Sequence, residues 1–273
     1  MGLSLALVGC GAMGSSLLRG WLTVPESKMH FKEFWVIAPH REKVEPFLGD
    51  SRVRWFSSPE QLPQTPNVIV FAIKPFAMED VLPLYTSFNS LFISVVTGKS
   101  LEFYEKYLSP PLSLIRAMPN TPVSIHQGVI GLLSNATVTT DQKQLAEICF
   151  RELGFCTWVK SDEDIDKITA ISGSGPAYVF YLMESLAKAA ESLGFDSKTA
   201  IDLARYTFWG ASTYAHDSSD PPSVLRQQVT SPMGTTAAAL NVLETEGLYN
   251  IMEAGVKAAY NRAKELSDER QSV

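Results

Sequence analysis

Strand-length apolar runs, separated by glycine, proline and polar clusters, recur through the first part of the chain. They lie at Ser4–Val8, Phe34–Ala38, Val53–Phe56, Asn67–Ala72, Leu91–Val96 and Ser113–Ala117, with a later pair near Gly128–Leu133 and Thr157–Val159. Helical segments alternate with them, the pattern of a parallel sheet covered by helices. From about Ile165 the period changes. The segment "PAYVFYLMESLAKAAESLG" opens with Pro176 just inside a helix, spaces its apolar residues for one face and stops at Gly194, as helix starts and ends do. A second helix follows Asp196, with Ile201, Ala204, Phe208, Ala211 and Ala215 along one side. A short one follows Pro221–Pro222, and others run over Thr236–Leu243 and Leu248–Leu266. No strand signal follows Val159. The pattern predicts an α/β domain, doubly wound with a mainly parallel sheet, over residues 1–162, and an all-α domain over 163–273. The acidic stretch Lys160–Asp166 reads as a solvated connection between them.

Composition narrows the class. At 273 residues, with 45% hydrophobic and 19% charged positions, the chain is globular and long enough for two domains. The net charge of −6 lacks the basic excess of a nucleic-acid binder. No apolar run reaches membrane-spanning length, so no membrane partner is expected. The start "MGLSLALVGCGAMG" has no basic region before its apolar stretch and fails the myristoylation pattern at Ala6. Cys10, Cys149 and Cys156 form neither a disulfide framework nor a zinc site, which fits a reducing, cytoplasmic setting. The scattered His30, His40, His126 and His216 have no paired ligand spacing, so no metal is expected.

The first candidate site is "LALVGCGAMGSSLLRGWL": strand, then Gly9, Gly11 and Gly14 in a G-x-G-x-x-G pattern, then helix. Gly9 permits the tight turn, Gly11 lets backbone approach a pyrophosphate, and Gly14 lets helix and strand pack closely. The phosphates would face Gly11, Ala12, Met13 and Gly14 beyond Val8, at a helix N-terminus. This is the Rossmann arrangement. An NAD-specific site places an acid after the second strand; here His40 and Arg41 stand there, which favours NADPH and leaves NADH possible. Ala72, Lys74 and Pro75 close the fourth strand at the end where such sheets bind ligands.

The second candidate is "TSPMGTTAAAL", Thr230–Leu240. Pro232 fixes a turn, Gly234 relaxes the backbone, and Thr235 and Thr236 open a helix whose first amides lack internal partners. Hydroxyls with free amides at a helix start form an anion cradle without an arginine. One capping residue would suffice for a helix, so the surplus of hydroxyls points to a ligand. "SGSGPAYVF" (Ser172–Phe180) reads as a helix start capped by Ser174.

Together with "RAMPNTP" (Arg116–Pro122), "GCGAMG" and "AIKP", these segments resemble the pyrroline-5-carboxylate reductase family in the right order over almost the whole chain. The resemblance implies a Rossmann domain followed by an all-α dimerisation domain, and NAD(P)H-dependent reduction of 1-pyrroline-5-carboxylate to L-proline. It implies a homodimer, with a higher oligomer of dimers open. It places Gln228, Ser231, Pro232, Met233, Gly234, Thr235 and Thr236 on the substrate, with Thr236 near the imine nitrogen as the catalytic group, and Thr97 and Asn120 on the cofactor. Whether the imine enters protonated or Thr236 relays a proton from water stays open. Met233 stands where the family usually has glycine, Thr97–Gly98 where it has Ala-Gly, and Pro221–Pro222 where it has His-Pro. The alternative is a related NADP-dependent imine or hydroxy-acid oxidoreductase, for which Lys188 is the nearest catalytic lysine, without the surrounding motif.

Overall fold

The computed structural model describes residues 2–108 and 111–268. Its sheet contains β1 (Leu3–Val8), β2 (Phe31–Ile37), β3 (Val53–Phe56), β4 (Val68–Phe71), β5 (Leu91–Ser94), β6 (Leu114–Met118), β7 (Gly128–Ser134) and β8 (Gly154–Trp158), in the order β3-β2-β1-β4-β5-β6-β7-β8. The pairings from β3 across to β6 are parallel, β7 runs antiparallel to β6, and β8 is parallel to β7. Successive residues of β1 face opposite layers: Leu5 and Leu7 join one apolar cluster with Leu17, Trp21 and Phe34, while Ala6 and Val8 join another with Trp35, Phe71 and Tyr104. A strand buried on both faces must be apolar throughout, which is why these runs do not alternate.

Helices α1 (Ala12–Thr23), α2 (Met78–Val81), α3 (Leu101–Tyr107), α4 (Thr140–Phe150) and α5 (Asp162–Ile168) belong with the sheet, and α6 (Gly175–Ser192), α7 (Ser197–Asp217), α8 (Pro222–Gln228), α9 (Thr235–Thr245) and α10 (Leu248–Asp268) follow. The chain forms two compact units, Met1–Ser174 with Ala259–Val273, and Gly175–Ala258. These units follow packing lines that differ from a division at 162/163. Ile168 of α5 lies where a Cβ on Gly131 of β7 would be, so α5 is part of the sheet unit.

Two local expectations change. The acidic stretch is not a solvated connection: Ser161 caps α5 by accepting from the Asp164 amide, and Ile165 and Asp166 are buried. Three acids in its first turn suit the positive end of a helix, which is what the acidic run encodes. Ser174 does not cap α6 either. It is itself helical (φ −84°, ψ −22°) and ends a π-helical turn, Thr169–Gly173, closed by the Ser174 amide donating to Thr169 O at 2.8 Å. The last strand starts at Gly154, earlier than its apolar residues suggest. Gly154 (φ +151°) pairs in register with Gly128, and a side chain there would collide with the Gly128 backbone.

Within the helical unit, α6 packs on α7 through Ala187, Ala200 and Ala204, and α6 also lies beside α10 across an apolar groove that includes Ala177, Tyr181, Leu182, Ile251 and Met252. Phe180, Tyr181, Tyr206, Trp209 and Ile251 are exposed. No described helix is long and apolar enough to cross a membrane.

Candidate active site

The strand order reverses between β1 and β4, and the carboxyl ends of these strands flank the crevice in which open α/β sheets bind ligands. The loops that leave them touch. Gly9 has φ +95°, and a Cβ there would lie 2.7 Å from Ala72 O. A Cβ on Gly14 would overlap the Gly9 carbonyl and press on Ala72 Cβ at 3.3 Å. Both glycines are therefore required by packing of the loop itself. Gly11 differs: nothing lies within 4 Å of the place its Cβ would take. It is the N-cap of α1, and no side chain accepts from the helix start; the first intrahelical bond is Ser15 N to Gly11 O at 2.8 Å. The amides of Ala12, Met13 and Gly14 precede that bond, so the start of α1 is an open cradle of donors with the positive end of the helix dipole behind it. That cradle fits a pyrophosphate.

The other candidate groups stand along the same edge of the sheet, in strand order. His40 and Arg41 follow β2, Val8 and Gly9 end β1, Ala72, Lys74 and Pro75 follow β4, Thr97 follows β5, and Asn120 follows β6. His40, Arg41 and Lys74 are exposed. The Arg41 guanidinium donates through Nε to Glu45 Oε2 at 3.0 Å and lies 5.8 Å from the Trp55 ring centre, so it is held beside the crevice while remaining in water. Lys74 precedes a tight turn, Pro75–Ala77, and the adjacent Phe76 is 79% exposed. Cys10 is buried within the glycine loop, and that burial raises its thiol pKa against a smaller opposing pull from Lys43.

Asn120 is set apart from this array, because its side chain is committed to backbone. Its Nδ2 donates to Ser172 O at 3.0 Å and its Oδ1 accepts from Val129 N at 2.8 Å. Sequence reasoning missed an ion pair nearby, in which the buried Arg116 of β6 donates to the half-exposed Asp162 of α5. An arginine inside a strand otherwise reading as core was the available signal, but only the fold supplies its partner. Tyr104, hydrogen-bonded to Ser94, is raised to about 12, chiefly by burial.

In the helical unit the second candidate is a tight turn feeding α9. Gly234 N donates to Ser231 O at 3.1 Å, and Met233 takes the left-handed conformation (φ +58°) at its corner with its side chain fully exposed. Gly234 is the N-cap of α9 and no side chain accepts from the helix start. The first intrahelical bond is Ala238 N to Gly234 O at 3.1 Å, which leaves the amides of Thr235, Thr236 and Ala237 ahead of it. Thr230 turns its hydroxyl back to Arg226 O at 2.6 Å, whereas Ser231 and Thr235 are exposed and Thr236 half-buried. Gln228, one turn earlier, donates to Asp220 Oδ2 at 3.0 Å. The hydroxyls at this bend do not cap α9. By contrast Ser100, Thr139, Ser161 and Asp196 each close the start of their own helix.

Comparison with known proteins finds a family match in each part of the chain. Residues 162–266 match the family described as pyrroline-5-carboxylate reductase dimerisation, and residues 4–98 match the one described as NADP oxidoreductase, coenzyme F420-dependent. A pyrroline-5-carboxylate reductase from Pseudomonas aeruginosa is 33% identical over 270 residues, 97% of each chain. The chain belongs to the pyrroline-5-carboxylate reductase family. The solved reductase of Coxiella burnetii superposes with a TM-score of 0.88 at 36% identity, covering 96% of this chain and 98% of that one. The Plasmodium falciparum pyrroline carboxylate reductase, solved with NADP bound, gives 0.83 at 28% identity, covering 97% and 98%. Met233 carries a visible conformational cost, since it holds a left-handed position that glycine occupies freely. Among the described residues there is no grouping of His, Cys, Asp and Glu that could hold a metal ion.

Proposed function

We propose that this protein reduces 1-pyrroline-5-carboxylate to L-proline with NADPH, and that it does so as a homodimer. The observation that carries the reading is the pair of glycine-capped helix starts, α1 at Gly11 and α9 at Gly234, neither closed by a side chain. One suits the diphosphate of a dinucleotide and the other the carboxylate of a small imino acid. The chain's membership of the family supports the same assignment.

Gly9, Gly11, Ala12, Met13 and Gly14 would hold the pyrophosphate. Arg41 with His40 would meet a 2′-phosphate at the β2 end, exchanging a solvated carboxylate partner for a phosphate. Lys74, Pro75 and Thr97 would line the path toward β5, about two strand spacings of ~4.8 Å beyond β1. The cofactor, once bound, supplies the hydride. The protein's own work is to hold the imine in place, since orientation provides much of the rate in such transfers. The amides of Thr235, Thr236 and Ala237 bind the substrate carboxylate, and the open hydroxyls of Ser231 and Thr235 add donors. No histidine lies in this turn. The Thr236 hydroxyl therefore hydrogen-bonds the imine nitrogen and passes it a proton from water as the amine forms.

Thr236→Val keeps the shape and removes the hydroxyl. It is expected to lower kcat/KM by roughly one to two powers of ten, the scale of one hydrogen bond to a charged group, with NADPH affinity unchanged. Thr236→Ser should recover much of the loss. Wild-type turnover in Thr236→Val would remove this residue from the chemistry. Arg41→Ala is expected to weaken NADPH about tenfold or more and leave NADH unaffected, as for loss of a charge-assisted contact. An equal change for both cofactors would leave no phosphate contact at Arg41.

A further inference from the structure

Two of the motifs that mark this family, "MPN" and "SGSG", carry no evident catalytic group, yet they are locked to each other inside the sheet unit. Asn120 is 7% exposed and makes one bond to each side: Nδ2 to Ser172 O at 3.0 Å and Oδ1 from Val129 N at 2.8 Å. Its own carbonyl accepts from Val123 N at 3.2 Å, which starts the short helical turn Thr121–Ile125 that packs against α1. Two residues earlier, Met118 lies against Gly173, where an added Cβ would stand 2.8 Å from its Cε. The segment gripped in this way is the π-helical turn Thr169–Gly173.

A π-helical turn shifts the hydrogen-bond register by one residue, and the residue four beyond Ser172 is Pro176, which has no N–H, so the Ser172 carbonyl has no i+4 helical donor. Here the Asn120 amide supplies the donor for Ser172 O. The turn is also where the chain first leaves the sheet unit, since the helical unit runs from Gly175 to Ala258 and the sheet unit resumes at Ala259. We propose that Asn120 is a positioning residue for the reduction: it holds the π-helical turn and so fixes how the chain leaves the cofactor-binding unit, without itself touching the cofactor. Gly173 is the other half of the same grip, small because Met118 takes its space.

The kinetic part rests on the imine reduction proposed above; the exchange part does not. Asn120→Asp keeps the size and the acceptor for Val129 N, but an ionised carboxylate has no hydrogen for Ser172 O and repels it. Amide hydrogen exchange over residues 169–175 of the full chain is expected to speed up by about tenfold or more, as when one buried hydrogen bond is lost, with the strands unchanged. With pyrroline-5-carboxylate, kcat is expected to fall about tenfold, while the Kd for NADPH, read by its fluorescence, stays within about twofold. Gly173→Ala, which presses on Met118 and leaves Asn120 intact, is expected to give the same split, and decides the matter by the same readings if Asn120→Asp does not fold. The proposal is overturned if NADPH affinity falls in step with kcat/KM while exchange at 169–175 is unchanged, which would put Asn120 on the cofactor. Wild-type kcat in a variant whose turn exchanges fast would also overturn it, by reducing the grip to a structural role. If the wild-type chain does not reduce the imine, the functional reading fails while exchange still tests the grip.

Discussion

Gly11 and Gly14 belong to one motif but are glycine for different reasons, and alanine at each separates them. At Gly14 a methyl group would meet the Gly9 carbonyl, so Gly14→Ala is expected to unfold the loop and lower stability by about 1–3 kcal/mol, the range for overpacking. At Gly11 the methyl group enters open space. Gly11→Ala should therefore keep the wild-type Tm and lose NADPH affinity by about tenfold or more, because the methyl stands where the backbone must approach phosphate. A Gly11→Ala protein that binds NADPH normally would mean the cradle at α1 is not the phosphate site. Met233 is the converse case. The left-handed conformation costs a side chain about 1–2 kcal/mol, partly offset by the entropy glycine loses on folding. Met233→Gly is accordingly expected to raise stability by up to about 1 kcal/mol in a denaturant titration; a lower stability would show that the turn needs the methionine.

At the level of elements, the Asp50–Arg52 pair at the entry to β3 gives the acid sensitivity a sign. Arg52 donates through Nε to Asp50 Oδ1 at 2.9 Å and through a terminal nitrogen to Oδ2 at 2.7 Å, and this bonding holds the Asp50 carboxyl below its ordinary pKa. A depressed carboxyl contributes stability above its unfolded pKa and loses it as pH falls through the folded value. Asp50→Asn should therefore be less stable than wild type at neutral pH, by about 1 kcal/mol, with the gap closing in acid. A gap that persists unchanged in acid would assign the loss to packing. Strands of the sheet were readable in the sequence because burial on both faces forces continuous apolar runs, as at Val68–Phe71. The glycine loop and the α9 turn were readable because backbone geometry restricts residue type. What could not be read depends on partners distant in sequence: Asp162 has the look of a solvated acid until Arg116 is placed beside it, and Asn120 grips a segment 52 residues away. The π-helical turn shares the composition of an ordinary helix start, so nothing local distinguishes the two.

On the scale of the whole molecule, α6, α7 and α10 expose large apolar side chains, Phe180, Tyr181, Tyr206, Trp209 and Ile251 among them, of the kind that mark contact surfaces when they cluster. A second copy covering them is the reading the dimerisation-family match supports. Sedimentation at micromolar concentration is expected to show a dimer, and a stable folded monomer would contradict it. The proposed chemistry is read out by turnover. Purified protein incubated with NADPH and 1-pyrroline-5-carboxylate should consume NADPH and form proline in equal amounts, and should leave hydroxy acids offered with NADP unoxidised. Protein that binds NADPH and remains dimeric but forms no proline would contradict the assignment.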